Sequence, residues 1–405
     1  MLKTSLSSGR DLVMTPGPSI MPDLVLNAMH RAAPNIYEGE LIDITDSILS
    51  DLEALAGTQG QAALYICNGH GVWEAAISNL FELGDCVLVL NSGRFGSGWA
   101  DMARVMGLDV NELDFGLKDA VDSAVLRERL LQDRSHRIKA VMMVHTDTAS
   151  SVRNDLVSIR QAIDEAGHPA LFLIDAIASF GCDRYEMDEW GIDVTVTACQ
   201  KGLMTPPGLG YLLFNDKAAA TAERVSKRSP YWDWRLRADP EVFYQRFCGT
   251  APTHLLFAQR AALDMIKQEG REAIWARHLA LARAVWSAVE AWGSEGPLKC
   301  NITEVANRSH AVTTIRADGH DVVEMRRWCE DKAGLVLGLG LGFQLPEYME
   351  GKSVFRIGHM GHLNPPMLLG ALATIDTALK ALNISHGRGA VNAATNALAH
   401  TDYTA

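Results

Sequence analysis

Short apolar runs alternate with longer amphipathic stretches between residues 60 and 215. Short apolar runs are typical of buried strands, and apolar positions three or four residues apart predict the helices between them. The predicted strands lie at residues 87–90, 138–144, 170–174, 194–197 and 211–214. The predicted helices lie at residues 72–81, 98–106, 120–131 and 153–166. This alternation indicates a mainly parallel sheet that is covered on both faces and binds ligands at the carboxyl ends of its strands.

The pattern changes after residue 251. Residues 252–292 form a long helical region that we interpret as a connector, and shorter elements follow at 311–315 and 354–357, with a last helix at 366–382. The segment from residue 385 is rich in Ala, Gly and Asn, and such a composition predicts poor order. The predicted organisation is an N-terminal arm (1–25), a large domain with the connecting helix (26–292), a small α+β domain (293–384) and a tail (385–405).

Composition narrows the class of protein. The chain has 405 residues, 48% hydrophobic and 21% charged, as expected of a soluble globular protein with more than one folding unit. A formal charge of −12 disfavours nucleic acid and anionic membranes as partners. We find no apolar run long enough to span a bilayer and no signal peptide. The seven cysteines are scattered and never form CxxC, which argues against a zinc or other metal site and predicts a reducing, cytoplasmic location.

Two charged residues follow predicted strands of the sheet. Lys201, in TACQKGLMTPPGLG, follows the strand at 194–197, and Asp175 ends the stretch ALFLID. Burial at the carboxyl edge of a sheet would lower the pKa of the lysine and make its amine a better nucleophile toward an aldehyde. A buried carboxylate there can keep the ring nitrogen of pyridoxal 5′-phosphate (PLP) protonated. Each residue taken alone also fits a surface lysine or a turn aspartate.

The stretch CNGHGVWEAA predicts a glycine-containing turn that opens a helix. Free backbone N–H groups and the helix dipole make such a turn suitable for binding phosphate. A phosphate turn, a strand-end aspartate and a strand-end lysine, in that order, are the parts of a fold type I PLP enzyme.

The sequence resembles the class V aminotransferases, and in particular the serine–glyoxylate and alanine–glyoxylate aminotransferase family. The resemblance runs from TPGPS near residue 15 to RIGHMGHLN near residue 364 and is strongest in SHRIKAVMMVHTDT, ALFLIDAIAS and TACQKGLMTPPGLG. It implies the PLP-dependent transferase fold type I, an α/β fold with a mainly parallel central sheet in a large domain and a smaller C-terminal α+β domain. It also implies PLP as cofactor and a homodimer or larger homo-oligomer.

The resemblance also implies residue roles. Lys201 matches the lysine that forms the Schiff base, and Asp175 matches the partner of the ring nitrogen. Arg356, in VFRIGHMG, matches the arginine that binds the substrate carboxylate, because a planar guanidinium can hold a carboxylate with two parallel hydrogen bonds. The other cofactor contacts implied are Asn68, Gly69 and His70 in the phosphate turn, Phe95 against the ring, Thr148 near the ring hydroxyl, Gln200 beside the lysine, and Thr250 for the partner subunit's phosphate.

Two segments depart from the family pattern. Phe247 stands where relatives have a tyrosine whose hydroxyl reaches the neighbouring subunit's phosphate. APNIYEGELID replaces a frequent His-Arg-Ser-Pro stretch, and we take Tyr37 within it as a candidate substrate contact. The second departure leaves the amino donor open.

The predicted reaction is transamination from a small amino acid, serine or alanine, to glyoxylate or another small 2-oxo acid. A pyridoxamine–pyruvate type of transaminase is the nearest alternative. A PLP lyase is a further alternative, although the loop GLGLGFQLPEYMEG has no cysteine to accept sulfur as a desulfurase would need. A nicotinamide dehydrogenase or a binding protein would need a GxGxxG turn after the first strand, and the glycine repeat at Gly338, Gly340 and Gly342 lies far downstream.

Overall fold

The computed structural model describes residues 6–226 and 228–400. The first five residues of the predicted arm and the last five of the predicted tail therefore lie outside the described residues. The described chain starts with a short strand, β1 (Leu12–Met14), and two helices, α1 (Asp23–Met29) and α2 (Glu40–Ala56).

A seven-stranded sheet forms the centre of the large part of the chain. Its order is β2-β8-β7-β6-β5-β3-β4, and only β8 runs antiparallel to its neighbours. The prediction of an α/β fold with a mainly parallel central sheet is confirmed. The strands are β2 (Gln61–Tyr65), β3 (Cys86–Asn91), β4 (Asp109–Asp114), β5 (Ile138–Val144), β6 (Leu171–Asp175), β7 (Val194–Ala198) and β8 (Gly210–Phe214).

Helices cover both faces of this sheet because successive strand residues point to opposite sides. In β5, Val141 and Met143 belong to the core on one face, while Ala140 and Met142 belong to the core on the other face. The helices between the strands are α3 (Gly69–Leu80), α4 (Arg94–Val105), α5 (Ser123–Gln132) and α6 (Leu156–Glu165), and those after the sheet are α7 (Asp216–Ala222) and α8 (Trp234–Ala238).

All five predicted strands are present, as are the four helices predicted between them. Two strands of the sheet, β2 and β4, were not predicted. The edge strand β4 has the sequence DVNELD, and none of its residues is buried. Its strand conformation depends on pairing with β3, and the pattern of hydrophobic residues in the sequence does not reveal this pairing.

The predicted connector consists of two helices, α9 (Thr253–Glu269) and α10 (Arg271–Gly293). They are separated by Gly270, whose φ of +92° is accessible to glycine but costly for other residues. The long helical region is thus correctly predicted as helical but is broken once.

A second, five-stranded sheet follows, with the order β1-β11-β12-β10-β9. Strand β1 from the N-terminal arm pairs in parallel with β11, so the arm is fixed to the C-terminal part of the chain. The two sheets have separate hydrophobic cores, whereas the exact domain boundaries stay a prediction. The remaining elements are β9 (Leu298–Cys300), β10 (Val312–Ala317), α11 (Val323–Ala333), β11 (Leu335–Leu339), β12 (Val354–Gly358), α12 (Pro365–Ala381) and α13 (Ala390–Ala399), with single turns of 3₁₀ helix at Phe243–Phe247, Val305–Asn307 and Pro346–Gly351.

The prediction of a poorly ordered tail is wrong for residues 390–399, which form α13 against the core of the small sheet. Ala390, Ala394 and Leu398 are buried, and their spacing of four residues places them on one face of the helix. The small side chains of Ala390 and Ala394 let the helix approach α10 closely. The composition of the segment indicated disorder, but the spacing of its apolar residues was the relevant signal.

Among the described helices, none has the length and apolar character that crossing a bilayer requires. All seven cysteines are free.

Candidate active site

The carboxyl ends of β6 and β7 bring Asp175 and Lys201 to the same edge of the large sheet. The two strands are paired, with Asp175 opposite Val196, and Lys201 follows β7 after a short turn. Neighbouring parallel strands end at one edge, so their terminal side chains open into a common space. This arrangement agrees with the sequence prediction.

Lys201 is held by the N-terminal arm. Its Nζ donates a hydrogen bond to the carbonyl oxygen of Pro16, and the Ser19 hydroxyl donates to the Lys201 carbonyl at 2.7 Å. Burial, together with the positive charge of Arg356, lowers the pKa of the Lys201 amine to about 8. The uncharged amine, which a nucleophile or proton acceptor requires, is therefore far more populated near neutral pH than in an ordinary lysine.

Asp175 is only 3% exposed and accepts hydrogen bonds at both carboxylate oxygens. The backbone N–H of Ile177 donates to Oδ1 at 2.7 Å, and Nε1 of Trp73 donates to Oδ2 at 2.8 Å. Burial raises the pKa of the Asp175 carboxyl to about 7, although both hydrogen bonds favour its charged form. A cationic group in front of this carboxylate would restore its negative charge.

The predicted phosphate turn opens α3. Asn68 caps the helix by accepting the His70 backbone N–H at 3.1 Å. A Cβ atom at Gly69 would lie 2.5 Å from Cδ1 of Ile177, so a larger residue there would require the Ile177 side chain to move. Burial, and then the positive charge of Arg94, lowers the pKa of His70. The turn therefore combines a close backbone approach with an uncharged imidazole.

These residues surround a cavity of about 260 Å³. Phe95 and Thr148 lie in its wall, and Asp147 fixes the backbone of Phe95 by accepting its N–H at 2.7 Å. The sequence-predicted residues that line the cavity are Asn68, Gly69, His70, Phe95, Thr148, Asp175, Gln200 and Lys201.

Sequence reasoning missed Trp73 and Thr146, which also line the cavity. The Thr146 hydroxyl is buried and has no hydrogen-bond partner among the described residues. The stretch HTDT after β5 could have indicated Thr146, because hydroxyl residues at strand ends face the same edge as Asp175. Trp73 is recognised as a cavity residue only from the packing of α3 on the sheet.

Arg356 lies on β12 of the second sheet, next to the cavity wall. Its Nη1 donates to the Thr148 carbonyl at 2.7 Å and its Nε donates to the Leu339 carbonyl at 2.6 Å. Burial lowers the pKa of Arg356 to about 10, so the guanidinium stays charged at neutral pH. Among the described residues, its Nη2 donates to none, which leaves N–H groups for an added carboxylate.

Besides Arg356, which lies behind the cavity wall, two predicted residues do not line this cavity. Tyr37 is 71% exposed, and its backbone N–H donates to Asn35 Oδ1 at 3.0 Å. Thr250 is exposed just before α9 and is absent from the cavity wall of its own chain. Both assignments stay predictions.

The residues of the cavity fit PLP. The amine of Lys201 can react with an aldehyde, and Asp175 offers a buried carboxylate for a ring nitrogen. The start of α3 lines the cavity and offers the positive end of its helix dipole to a phosphate. The unpartnered Thr146 hydroxyl is a further buried polar atom that a ligand could satisfy. No three His, Cys, Asp or Glu side chains converge to hold a metal within residues 6–226 and 228–400.

Comparisons with known proteins agree with this geometry. A family model described as aminotransferase class-V matches residues 27–357. The serine–glyoxylate aminotransferase of Methylorubrum extorquens is 35% identical over 398 residues, which cover 96% of each chain. The L-aspartate–glyoxylate aminotransferase of Paracoccus denitrificans is 33% identical over 381 residues, which cover 92% of each chain. The crystal structure of pyridoxamine–pyruvate aminotransferase from Mesorhizobium loti has a TM-score of 0.85 at 24% identity, covers 96% of this chain and 98% of its own, and shows a shared fold.

Proposed function

The chain belongs to the class V aminotransferase family, and from this premise we propose that it transfers an amino group from a small amino acid to glyoxylate or another small 2-oxo acid, with PLP as cofactor. Serine and alanine are the proposed donors. The observation that carries the proposal is the single cavity in which Lys201 and Asp175 meet at the ends of adjacent strands, with Arg356 behind its wall. The 35% sequence identity to a serine–glyoxylate aminotransferase over nearly the whole chain supports the choice of substrates.

Each residue of the cavity has a distinct task in this proposal. Bound PLP supplies an aldehyde that links to amines and a ring that accepts the electron pair left at the substrate Cα. Lys201 holds the cofactor and, as the free amine, takes the proton from Cα. Asp175 keeps the ring nitrogen protonated. Phe95, Thr148 and Gln200 position the ring, and the turn at Asn68, Gly69 and His70 binds the phosphate.

Arg356 orients the substrate through its carboxylate. The Nε and Nη1 groups already bind two backbone carbonyls, so the guanidinium plane is fixed before substrate arrives. A fixed guanidinium can hold a carboxylate in one orientation, and in this proposal that orientation presents the Cα–H bond to the Lys201 amine. Lysine at this position lacks the planar set of donors.

A half-reaction screen tests the proposed function. The PLP-loaded enzyme is mixed separately with serine, alanine, aspartate and pyridoxamine, and loss of the visible PLP absorbance is followed. We expect serine or alanine to react fastest and glyoxylate to restore the absorbance. If none of the amino acids discharges the absorbance, the proposed reaction is wrong.

Pyridoxamine–pyruvate transamination is the second candidate, and one feature of the site favours it. The Asn68 side chain caps α3 by accepting the His70 N–H, so this N–H is already bonded. Phe247 is a buried aromatic residue without a hydroxyl. Two hydrogen bonds that could hold a phosphate are thus absent from these positions. Free pyridoxamine has no phosphate and would not need them.

Arg356→Lys separates the two candidates. For an amino acid donor, KM should rise for both the amino acid and glyoxylate, because both carboxylates use the same guanidinium. Loss of a charged hydrogen bond costs about 1.5–3 kcal/mol, or roughly a ten- to hundred-fold change in affinity. For a pyridoxamine donor, only the oxo-acid half-reaction should weaken, and this selective loss would reject an amino acid donor. Arg316→Lys is the control, since Arg316 is a buried arginine on the adjacent strand that pairs with Asp318.

We also propose a homodimer in which Thr250 of one subunit contacts the cofactor phosphate of the other. Thr250 is exposed and lies outside the cavity of its own chain, as a residue that serves a partner must. Sedimentation should give a dimer or larger assembly, and Thr250→Ala should raise the Kd for PLP without dissociating it. A monomeric PLP-loaded enzyme with full activity would rule out the shared site.

The free cysteines and the negative charge agree with a cytoplasmic enzyme that binds neither nucleic acid nor membranes. These remain proposals about its location and partners.

A further inference from the structure

We propose that Trp73 is a positioning residue for the reaction: its indole N–H keeps Asp175 ionised, so that Asp175 in turn keeps the cofactor ring nitrogen protonated. This inference rests on the proposed function and adds to it a residue whose task is to hold Asp175 in its charged form. It follows from the hydrogen bonds of Asp175 and from the packing that fixes Trp73.

The two oxygens of Asp175 each face one fixed donor. The Ile177 N–H occupies Oδ1, and the Trp73 indole occupies Oδ2 at 2.8 Å. An indole N–H can donate but cannot accept, so it stabilises a bare carboxylate oxygen and opposes a proton on that atom. The only side chain that donates to Asp175 is Trp73, within the part of the chain that the structure describes.

Packing makes the Trp73 donor rigid. The side chain is 1% exposed, and its ring stacks on that of Trp99 at 5.9 Å between centroids and 15° between planes. The Phe95 ring meets its edge at 6.4 Å. Because its neighbours hold it in place, this donor does not have to reorient when charge develops in front of the carboxylate. The free-energy cost of reorganisation is therefore small, as electrostatic preorganisation requires.

The proton balance explains why this donor matters. Burial already drives the Asp175 carboxyl toward its neutral form, with a pKa of about 7 in the cofactor-free protein. Asp147 repels the charge of Asp175 and Lys201 attracts it, and both remain unchanged when only Trp73 is altered. Without the indole donor the carboxylate becomes more basic, and the proton between it and the ring nitrogen moves toward the carboxylate. The ring is then a weaker electron acceptor.

The stacked pair supplies a matched control. Trp99 is fully buried in the same core, but its indole nitrogen has no hydrogen-bond partner among the described residues. Trp73→Phe and Trp99→Phe therefore remove the same number of atoms from the same stack. Only the first removes a hydrogen bond to Asp175.

The test uses the holoenzyme reconstituted with PLP that carries ¹⁵N in the ring. Nitrogen NMR reports ring protonation directly, and single-turnover kinetics with the best donor report loss of the Cα proton. In Trp73→Phe the ring ¹⁵N signal should move toward the chemical shift of an unprotonated ring nitrogen. The Asp175 carboxylate should bind its proton roughly ten- to a hundred-fold more tightly. Proton loss from Cα should slow by about ten-fold or more. Trp99→Phe should leave both measurements at the wild-type values.

Two further variants keep the outcome decisive. In an Asp175→Asn background, Trp73→Phe should produce no additional change, because the carboxylate it acts on is gone. If Trp73→Phe does not fold, benzothienylalanine at position 73 replaces the N–H by sulfur and keeps the shape of the ring. Equal effects of the Trp73 and Trp99 variants, or a ring signal unchanged by loss of the N–H, would overturn the proposal. Failure of the wild-type enzyme to bind PLP would instead reject the proposed function itself.

Discussion

Lys201→Ala should abolish turnover and the covalent attachment of PLP while the fold is retained. The amine is both the anchor of the cofactor and the proton carrier, and loss of a positioned proton carrier alone commonly costs about 10²–10⁴-fold in rate. Borohydride reduction followed by peptide mass spectrometry should find PLP on the peptide that contains residue 201. Reduced PLP on any other peptide of the wild-type enzyme would contradict the assignment.

Lys267→Ala provides the control for this variant. Lys267 is an exposed lysine on α9 that pairs with Asp51 and does not line the cavity. Its removal should change neither turnover nor the site of reduction. A loss of activity in both variants would indicate a general effect on the protein rather than a role for Lys201.

Lys201→Ala should also stabilise the cofactor-free protein at neutral pH. Burial lowers the pKa of Lys201 from its ordinary value of 10.5 to about 8, so the unfolded chain binds more protons between these values. The buried amine therefore destabilises the fold fully below about pH 8, and this cost vanishes as the pH rises past 10.5. Thermal unfolding should show the gain of Lys201→Ala at pH 7 and its disappearance toward pH 10.5.

Asp175→Asn should leave PLP bound but slow removal of the Cα proton by roughly 10²–10³-fold, which is the usual effect of losing one preorganised electrostatic partner. An amide at this position is uncharged and cannot hold the ring nitrogen protonated. Stopped-flow measurement of the amino acid half-reaction isolates this step from product release. A variant with a near-normal half-reaction rate would show that the ring nitrogen has another partner.

Asp193→Asn is the matched control. Asp193 is also buried, at 3% exposure, but it lies at the opposite edge of the sheet, where it accepts the Phe172 N–H at 2.8 Å and pairs with Lys217. Its replacement should lower stability because a buried charged hydrogen bond is lost. The half-reaction rate of the folded protein should not change.

The repeating apolar runs were sufficient to predict the parallel sheet, because strands buried on both faces need continuous apolar sequence. The same pattern placed Asp175 and Lys201 at strand ends, and parallel strands end at one edge. Resemblance to a family then identified the other residues of the cavity, as at Phe95 and Thr148. These features depend on local sequence and on one topological rule.

Other features depend on contacts between distant segments. Strand β4 forms only because β3 pairs with it, and α13 is ordered only because α10 lies opposite its small residues. The role of Trp73 depends on the packing of α3 on the sheet, through which an indole 102 positions from Asp175 reaches its carboxylate. A hydrogen bond over such a sequence distance leaves no local signature, and only tertiary packing decides it.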